Sequence, residues 1–537
     1  MGGGHVVTAT PLDRVAIRLH PDDDVAVARS EVLAGTEIDD GSRTFAAGSD
    51  VPAGHKIAVR AVAAGGPVRK YGQRIGVATS PIAAGDHVHT HNLAVGPPAA
   101  HTTGPAGETG VPSADGPAPV GTASRAATSS GTSPPATTFA GIVRPDGRIA
   151  TRNYIGILTS VNCSATAARL IADRFRPGSD LLAQHPDVDG VVALTHGSGC
   201  GMAVSGDGLS LLRRTITGYA RHPNFAGLLV LGLGCEVNQV DSLAEGFDLP
   251  PSTPVHTMTI QALGGTRATV DEGVARIREM VGAAAEVRRR PVPVSELVLG
   301  LNCGGSDAYS GITANPALGV AADLLIAQGG TAVLGETPEI HGAEHLLTGR
   351  ADPAVAEALL ERVRWWESYV EASGGSLDNN PSPGNKAGGL TTILEKSLGA
   401  VAKAGTSRLQ QVVGYAERPT RRGLVFMDTP GYDPVSVTGI VAGGANVVCF
   451  TTGRGSVFGC KPAPSLKLAT NSEVYRRMPD DMDINCGSIL DGDETVEQAG
   501  RRIFDAVVAV ASGRRTLSEE LGVGDNEFVP WQLGAVL

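Results

Sequence analysis

Four short apolar runs each end in a glycine-rich loop that carries a thiol or a charged side chain: GVVALTHGSGCG (Gly190–Gly201), GLLVLGLGCE (Gly227–Glu236), ELVLGLNCGGSD (Glu296–Asp307) and NVVCFTTGRG (Asn446–Gly455). Apolar runs of about five residues bounded by glycine predict buried strands, and in open parallel sheets the loops past the strands' carboxyl ends form the ligand crevice. Reactive groups crowding one rim make the chain an enzyme candidate. In its last part LVLGL leads to Asn302, Cys303, Ser306 and Asp307, TAVLG to Glu336, Glu339 and His341, GLVFM to Asp428 and Asp433, and NVVCF to Thr451, Thr452 and Arg454. A divalent cation is the obvious use of such a set: carboxylates suit hard ions, thiolate and imidazole suit iron or zinc, and the mixture fits a ferrous-type site best. Taken singly, a strand-end cysteine is more often a small buried hydrophobe, and an acidic residue there more often caps a helix or a turn. Recurrence at equivalent places favours function.

Further candidates lie outside this set. HVHTH places His87, His89 and His91 two apart, so on a strand all three face one side and suit a metal or an acid, although a solvated edge strand has the same spacing. AGHKIA and VRKYG add His55, Lys56, Lys70 and Tyr71, a cationic set suited to a carboxylate. The Asn/Pro/Gly-rich stretch Asn379–Gly405 leads into a helix, and its backbone N–H groups with Lys386 could clamp an anion. His196 and Cys200 in HGSGC are a ligand pair or a tight loop. GRGSVFG lacks the GxGxxG spacing and no acidic ribose ligand can be placed, so no NAD site is expected; no P-loop motif occurs either.

The elements that must position these groups are legible from periodicity. RVAIRLH, DVAVARS, KIAVRAV, RIGVATS and HVHTHNL alternate apolar and polar residues between turns, which predicts a small all-β module over residues 12–96 with its own core. Residues 97–138, mainly Pro, Ala, Gly, Ser and Thr, cannot bury enough apolar area to offset ordering entropy and are expected to be a flexible linker. Beyond it, strands alternate with amphipathic helices such as Ala165–Phe175, Asp271–Val287, Pro316–Gln328, Pro353–Ala372 and Glu494–Ser512. Two α/β units follow, 139–293 and 294–537, with a border near Arg288–Val294 where an Arg run and two prolines interrupt the pattern; the second unit is expected to be a Rossmann-like, mostly parallel sheet.

Composition bounds the partners. A length of 537 residues suggests three domains, and 42% hydrophobic with 4% aromatic residues and 71 glycines suits α/β architecture. The net charge of −11 argues against nucleic acid or an anionic membrane as the main partner, and an anionic substrate would need local positive charge. No stretch approaches the roughly 18–20 apolar residues of a spanning helix and the N-terminus lacks a signal-peptide layout, so a soluble cytoplasmic protein is expected. Seven cysteines without CxxC pairs predict thiols rather than disulfides or a zinc ribbon.

The blocks GRIATRNYIGILTSVNCSA, THGSGCG, LGLGCEVNQ, LNCGGSDAYSGITANPALG, GETPEIHGAEHLL, NNPSPGNKAGGLTTILEKSLGA, FMDTPGYDPVS, FTTGRGSVFG and DINCG, from about residue 141 to 487, resemble the altronate/galactarate dehydratase family of bacterial sugar-acid catabolism. The N-terminal module is similar to the β-clip (SAF) domain that precedes the catalytic part in that family. TSVNCSA and ETPEIHGAEHLL look more like altronate than galactarate dehydratases. The resemblance implies a dimerising middle domain and therefore a homodimer, a C-terminal Rossmann-like domain with a metal site, and Fe2+, or Mn2+, under reducing conditions. It implies dehydration of D-altronate to 2-dehydro-3-deoxy-D-gluconate, with galactarate or sulfolactate as alternative substrates within the family. A non-catalytic sugar-acid binding protein, or an iron–sulfur dehydratase using Cys303, Cys449 and Cys486, are readings from other classes. From residue type and strand-end position, the expected metal ligands are Cys303, Glu336 and Cys486. Asp307, Asp428 and His55 are the catalytic candidates; Arg454, Lys386 and Lys461 would hold the substrate carboxylate, and His89 and His91, with His55, would close over the sugar chain.

Overall fold

The computed structural model describes residues 9–96, 137–176 and 178–534. The expected linker lies outside them except for Thr137 and Thr138, and Thr138 already begins a strand.

Apart from the four-residue helix Leu12–Val15, the N-terminal domain is built of short strands. Its largest sheet runs Ala16–Ile17, Val25–Ala28, Lys56–Ala58, His87–Val88, antiparallel throughout. Alternate residues leave a strand on opposite faces. Here the two faces have different destinations: Ala26, Ala28 and Ile57 join Leu12 and Ile38 in a core internal to the domain, whereas Val25 and Ala58 join the core of the C-terminal domain, and Val27 meets Tyr309 and Ile312. The module has a core of its own, but it is not a free appendage. The other face of its sheet is buried by the C-terminal domain.

The middle unit carries a four-stranded parallel sheet in the order Gly190–Leu194, Tyr154–Thr159, Phe225–Gly232, Val255–Thr259. Helices Ala165–Ala172 and Thr266–Ala284 cover one face, and Asp207–Ala220 covers the other, where it packs on helix Asp433–Ala442 of the C-terminal unit. The expected border near Arg288–Val294 is itself a strand: Arg289–Pro293 pairs antiparallel with Thr138–Val143. Prolines 291 and 293 interrupt the helical pattern, yet Pro fits an edge strand whose N–H side is free.

Seven parallel strands form the C-terminal sheet, in the order Leu409–Val413, Gly423–Met427, Thr331–Leu334, Val298–Cys303, Val447–Thr452, Ser465–Ala469, Ile484–Asn485. Helices cover both faces, which is why the strands read as continuous apolar runs rather than as alternation. Leu299 and Leu301 pack beneath helices Ala314–Ala327 and Val496–Ala511, while Gly300 faces Ile440 of helix Asp433–Ala442. The chain leaves Val298–Cys303 toward one edge and returns on its other side with Val447–Thr452. The crevice at such a switch point lies past the carboxyl ends of those two strands.

Candidate active site at the seam of two domains

Cys303 ends the central strand and meets Glu336 and Glu339, which follow the neighbouring strand Thr331–Leu334. The Cys303 Sγ lies 3.6 Å from Glu336 Oε2 and 3.3 Å from Glu339 Oε2. Two lysines on the segment after Ile393 complete the cluster. Lys403 Nζ lies 2.7 Å from Cys303 Sγ and 2.8 Å from Glu336 Oε2; Lys396 Nζ lies 2.5 Å from Glu339 Oε1. All five side chains are buried. Burial pushes the Cys303 thiol well up, with Glu336 adding to the push. Glu336 is likewise pushed up by burial against the pull of Lys403. For Glu339 burial acts the same way, but Lys396 and Lys403 outweigh it and hold its carboxyl below the usual range.

Glu336 has a left-handed backbone, φ 67°, a conformation that costs a non-glycine residue about 1–3 kcal/mol and persists only when its surroundings over-determine it. Its N–H donates to Thr429 Oγ1 at 2.6 Å, and its Oε1 is buried without a hydrogen-bond partner. The bent backbone thus places Oε2 in the cluster and leaves Oε1 buried without a partner. Asp433, in the first turn of helix Asp433–Ala442, is pushed up to about 8 by burial and by Glu336 and Glu339.

The glycine pair after Cys303 sets how closely the next groups approach. A Cβ on Gly304 would lie 2.2 Å from Asp433 Oδ2, and one on Gly305 3.5 Å from Arg454 Cβ, so Asp433 and Arg454 flank the pair. Asp307 is buried, accepts from Ser310, Thr470 and Asn471, and is nevertheless raised by burial. Gly453 is tight against it: a Cβ there would stand 2.1 Å from Asp307 Cγ. A Cβ on Gly388 would lie 3.0 Å from Asp307 Cβ and 3.1 Å from Arg454 Cδ. The segment Asn380–Gly389, which contains Lys386, is therefore laid across the crevice. Asn380 Nδ2 donates to Glu339 Oε1 at 2.8 Å, and Asn385 Nδ2 to the Ser306 carbonyl at 2.8 Å.

The N-terminal domain grips the far side of that segment. Lys56 Nζ donates to the Gly389 carbonyl at 2.6 Å and to Glu395 Oε2 at 2.8 Å, and Lys70 Nζ reaches Glu395 Oε1 at 2.8 Å. Burial lowers Lys56 to about 8 in spite of Glu395. Burial alone would raise Glu395, yet the two ammonium groups hold it far below the usual carboxylate range. His55 Nε2 is 3.4 Å from the Ala387 carbonyl. His87, His89 and His91 gather round it: His55 and His89 ring centroids are 4.7 Å apart, and His91 lies 5.4 Å from His87. Only His87–Val88 of HVHTH is strand, so a turn rather than strand alternation brings His89 and His91 in.

Among the described residues two groups of three could hold a metal ion, Cys303 with Glu336 and Glu339, and His55 with His87 and His89. The expected set Cys303, Glu336 and Cys486 does not fit a cation. Cys486 is fully buried in the apolar layer with Cys449, Leu468 and Ile503, and burial pushes its thiol up to about 12. Lys403 already lies against Cys303 and Glu336, and Lys396 against Glu339, so two ammonium charges neutralise the two carboxylates. Cys449 belongs to the same apolar layer, which leaves Cys303 without thiol partners for an iron–sulfur cluster. Lys461 is also elsewhere, bonded to Asp525 Oδ1 at 2.5 Å and to the Gly522 carbonyl. Asp428 accepts from Thr337 Oγ1 and Trp366 Nε1 at 2.6 and 2.8 Å, which makes it a support for the Glu336 turn rather than a group facing the crevice. Lys396, Lys403 and Glu395 do not follow a strand end and were not among the expected residues; Asp433 was, as one acid among several. Lys396 and Lys403 are seven residues apart and so share one helical face, a signal the sequence does carry.

A parallel α/β sheet with this crevice, capped by a β-domain, defines a class, and comparison with known proteins identifies it. Three family descriptions match in order: "Altronate/galactarate dehydratase SAF domain" over residues 14–96, "D-galactarate dehydratase/Altronate hydrolase, second domain" over 141–285, and "D-galactarate/Altronate dehydratase, C-terminal" over 294–536. The chain is 37% identical to galactarate dehydratase (L-threo-forming) of Escherichia coli over 521 residues, 94% of this chain and 95% of that protein. It is 36% identical to altronate dehydratase of Escherichia coli (94% and 96% covered) and 34% identical to that of Bacillus subtilis (93% and 95% covered). The chain belongs to the altronate/galactarate dehydratase family and is a hydro-lyase of that family. No helix among the described residues is long and apolar enough to cross a membrane.

Proposed function

We propose that this chain dehydrates a sugar acid, D-altronate to 2-dehydro-3-deoxy-D-gluconate, in the crevice covered by Asn380–Gly389. The observation that carries the reading is the pair of carboxyl groups past the central strand: Glu336, against Cys303 and buried with one oxygen unspent, and Asp433, beside Gly304 and pushed up to about 8. Dehydration of a 2,3-dihydroxy acid requires a base for the C2 proton and an acid for the departing C3 hydroxyl. Both carboxyl groups are raised toward neutrality, Glu336 to about 7 and Asp433 to about 8, so each can take or give a proton there. Glu336 takes the C2 proton, and Asp433 gives its proton to the leaving hydroxyl, each contributing about 10²–10⁴ in rate.

The substrate carboxylate is held by Arg454 and Lys386, the local positive charge that an acidic protein needs for an anionic substrate. Lys403 stands beside Glu336 and offsets negative charge that develops as the C2 proton moves. The enol then ketonises by taking a proton at C3. Altronate is favoured by the blocks around Cys163 and Glu336, and galactarate is kept as the second reading by the 37% identity to galactarate dehydratase. Ferrous iron, or manganese, and a homodimer built on the middle domain complete the proposal. A panel of hexonic and hexaric acids and sulfolactate, incubated with ferrous iron and thiol, tests it. A 2-keto-3-deoxy product from altronate supports the reading, product from galactarate alone moves the substrate assignment, and binding without product removes catalysis.

A further inference from the structure

The parallel sheet of the middle domain has a switch point of its own. From Tyr154–Thr159 the chain passes to helix Ala165–Ala172 on one face, and from the neighbouring strand Gly190–Leu194 to helix Asp207–Ala220 on the other. Loops that part in opposite directions leave a crevice past the carboxyl ends of two such strands, the place where open α/β sheets bind ligands. A cavity of about 350 Å³ lies there, between Asn162, Thr166, Arg169, Thr195 and His196 on the sheet side and Gln532 of the C-terminal tail. That is the small end of the roughly 300–1,000 Å³ of ligand pockets, and it suits a small metabolite.

Among the described residues no Asp or Glu lines this cavity, although the chain carries a net charge of −11. Arg169 donates from one Nη to Thr195 Oγ1 at 2.9 Å, and among the described residues no carboxylate pairs with its guanidinium. The rest of its planar fork is left for a ligand, a geometry matched to the paired oxygens of a carboxylate or phosphate. Asn162 and Thr166 add an amide and a hydroxyl at the start of helix Ala165–Ala172, where the helix dipole also favours negative charge. The rim is fixed from within: His196 Nε2 lies 3.0 Å from the Thr159 carbonyl and Nδ1 3.1 Å from Ser198 Oγ, and Asn162 Nδ2 donates to the His196 carbonyl at 3.2 Å. Burial pushes His196 down to about 4, so its ring is neutral and Arg169 is the cation of the lining. The tail is anchored as well. Val529 N–H donates to Thr438 Oγ1 at 3.0 Å, and Phe528 packs edge-on against Tyr219. We infer that this crevice is a second ligand site, separate from the crevice of the C-terminal sheet, which binds the carboxylate or phosphate group of a small metabolite on Arg169.

The test is oxyanion binding by the full chain, read by calorimetry in a chloride buffer and so independent of turnover. Inorganic phosphate and pyruvate are the two probes, one for each source of the anionic group. The inference expects saturable binding of at least one of them: phosphate alone marks a phosphorylated metabolite, and pyruvate alone a carboxylic acid. Arg169→Gln removes a charge-assisted donor pair and should weaken that binding by about tenfold or more. Arg454→Gln, in the crevice of the C-terminal sheet, should bind the probe as the unaltered chain does. Arg169 is exposed on its helix, so Arg169→Gln should fold, which a circular dichroism melt confirms. The inference is overturned by the absence of saturable binding of either probe up to about 10 mM, by unchanged affinity in folded Arg169→Gln, or by loss of binding in Arg454→Gln.

Discussion

Glu336 and Asp433 carry the chemistry of the account, and each can be questioned separately. Glu336→Gln preserves the hydrogen bond to Lys403 but removes the base, so kcat should fall by about 10²–10⁴ with an unchanged far-UV spectrum; full activity would take Glu336 out of the site. Asp433 is pushed up to about 8, so in the acid role proposed for it the useful form is populated below that pH and is lost as pH rises through it. The rate should therefore decline on an alkaline limb near pH 8, and Asp433→Asn should abolish that limb along with most of the rate. A limb that survives in Asp433→Asn belongs to another group. Of these residues, Cys303 and Glu336 are legible in the sequence because Cys303 ends a strand and Glu336 closely follows one. Asp433 was visible only as one acid among several, because its altered protonation comes from contacts with Glu336 and Glu339 that no local pattern encodes. Cys486 misled for the complementary reason: a strand end places a thiol, but which face it takes depends on the register, and here that face is the apolar one.

The segment Asn380–Gly389 is the element on which the seam is built. Gly389 has φ 93°, and a Cβ there would stand 2.3 Å from the Gly54 carbonyl. Both backbone strain and backbone contact oppose any larger residue. Gly389→Ala should thus loosen the N-terminal domain, seen as new protease cleavage between the first two domains and a lower melting temperature; an unchanged digestion pattern would contradict the packing described. Glu395, at the start of the helix Ile393–Val401, is the ionic counterpart. Replacing it with Gln leaves Lys56 and Lys70 buried without their carboxylate, a change that typically costs about 3–5 kcal/mol. Chemical denaturation of Glu395→Gln should show a loss of that order, and a loss under 1 kcal/mol, roughly the worth of an exposed pair, would remove the buried trio as a clamp. Periodicity announced these helices and strands well, since each buries one face or both; the conformation of Asn380–Gly389 was not readable because its partners lie about 300 residues away, at His55, Lys56 and Gly54.

Across the whole molecule the three sequence units share cores instead of standing apart. Val25 and Ala58 of the first unit lie in one cluster with Leu299 and Leu301 of the last, and Phe528, near the chain's end, lies with Tyr154 and Leu158 of the middle unit. Composition and alternation revealed the separate units. They could not reveal that both faces of the N-terminal sheet are used, because VAVA reads the same whether its outer face meets a domain or water. The docking also carries a pH dependence with a definite sign. Glu395 is held far below its ordinary 4.5, so its contribution is complete above that value and is lost as pH falls below the usual carboxylate range. Acid titration should release the N-terminal domain before the parallel sheet melts, and Glu395→Gln should abolish that early acid step.

The most direct measurement of the central claim follows the C2 proton of altronate by NMR in deuterated buffer. The unaltered enzyme should yield 2-dehydro-3-deoxy-D-gluconate with one deuterium at C3. Asp433→Asn, which keeps the base but lacks the acid, should exchange the C2 proton of unreacted altronate while forming little product, and Glu336→Gln should do neither. Exchange at C2 by Glu336→Gln as fast as by Asp433→Asn would contradict the account.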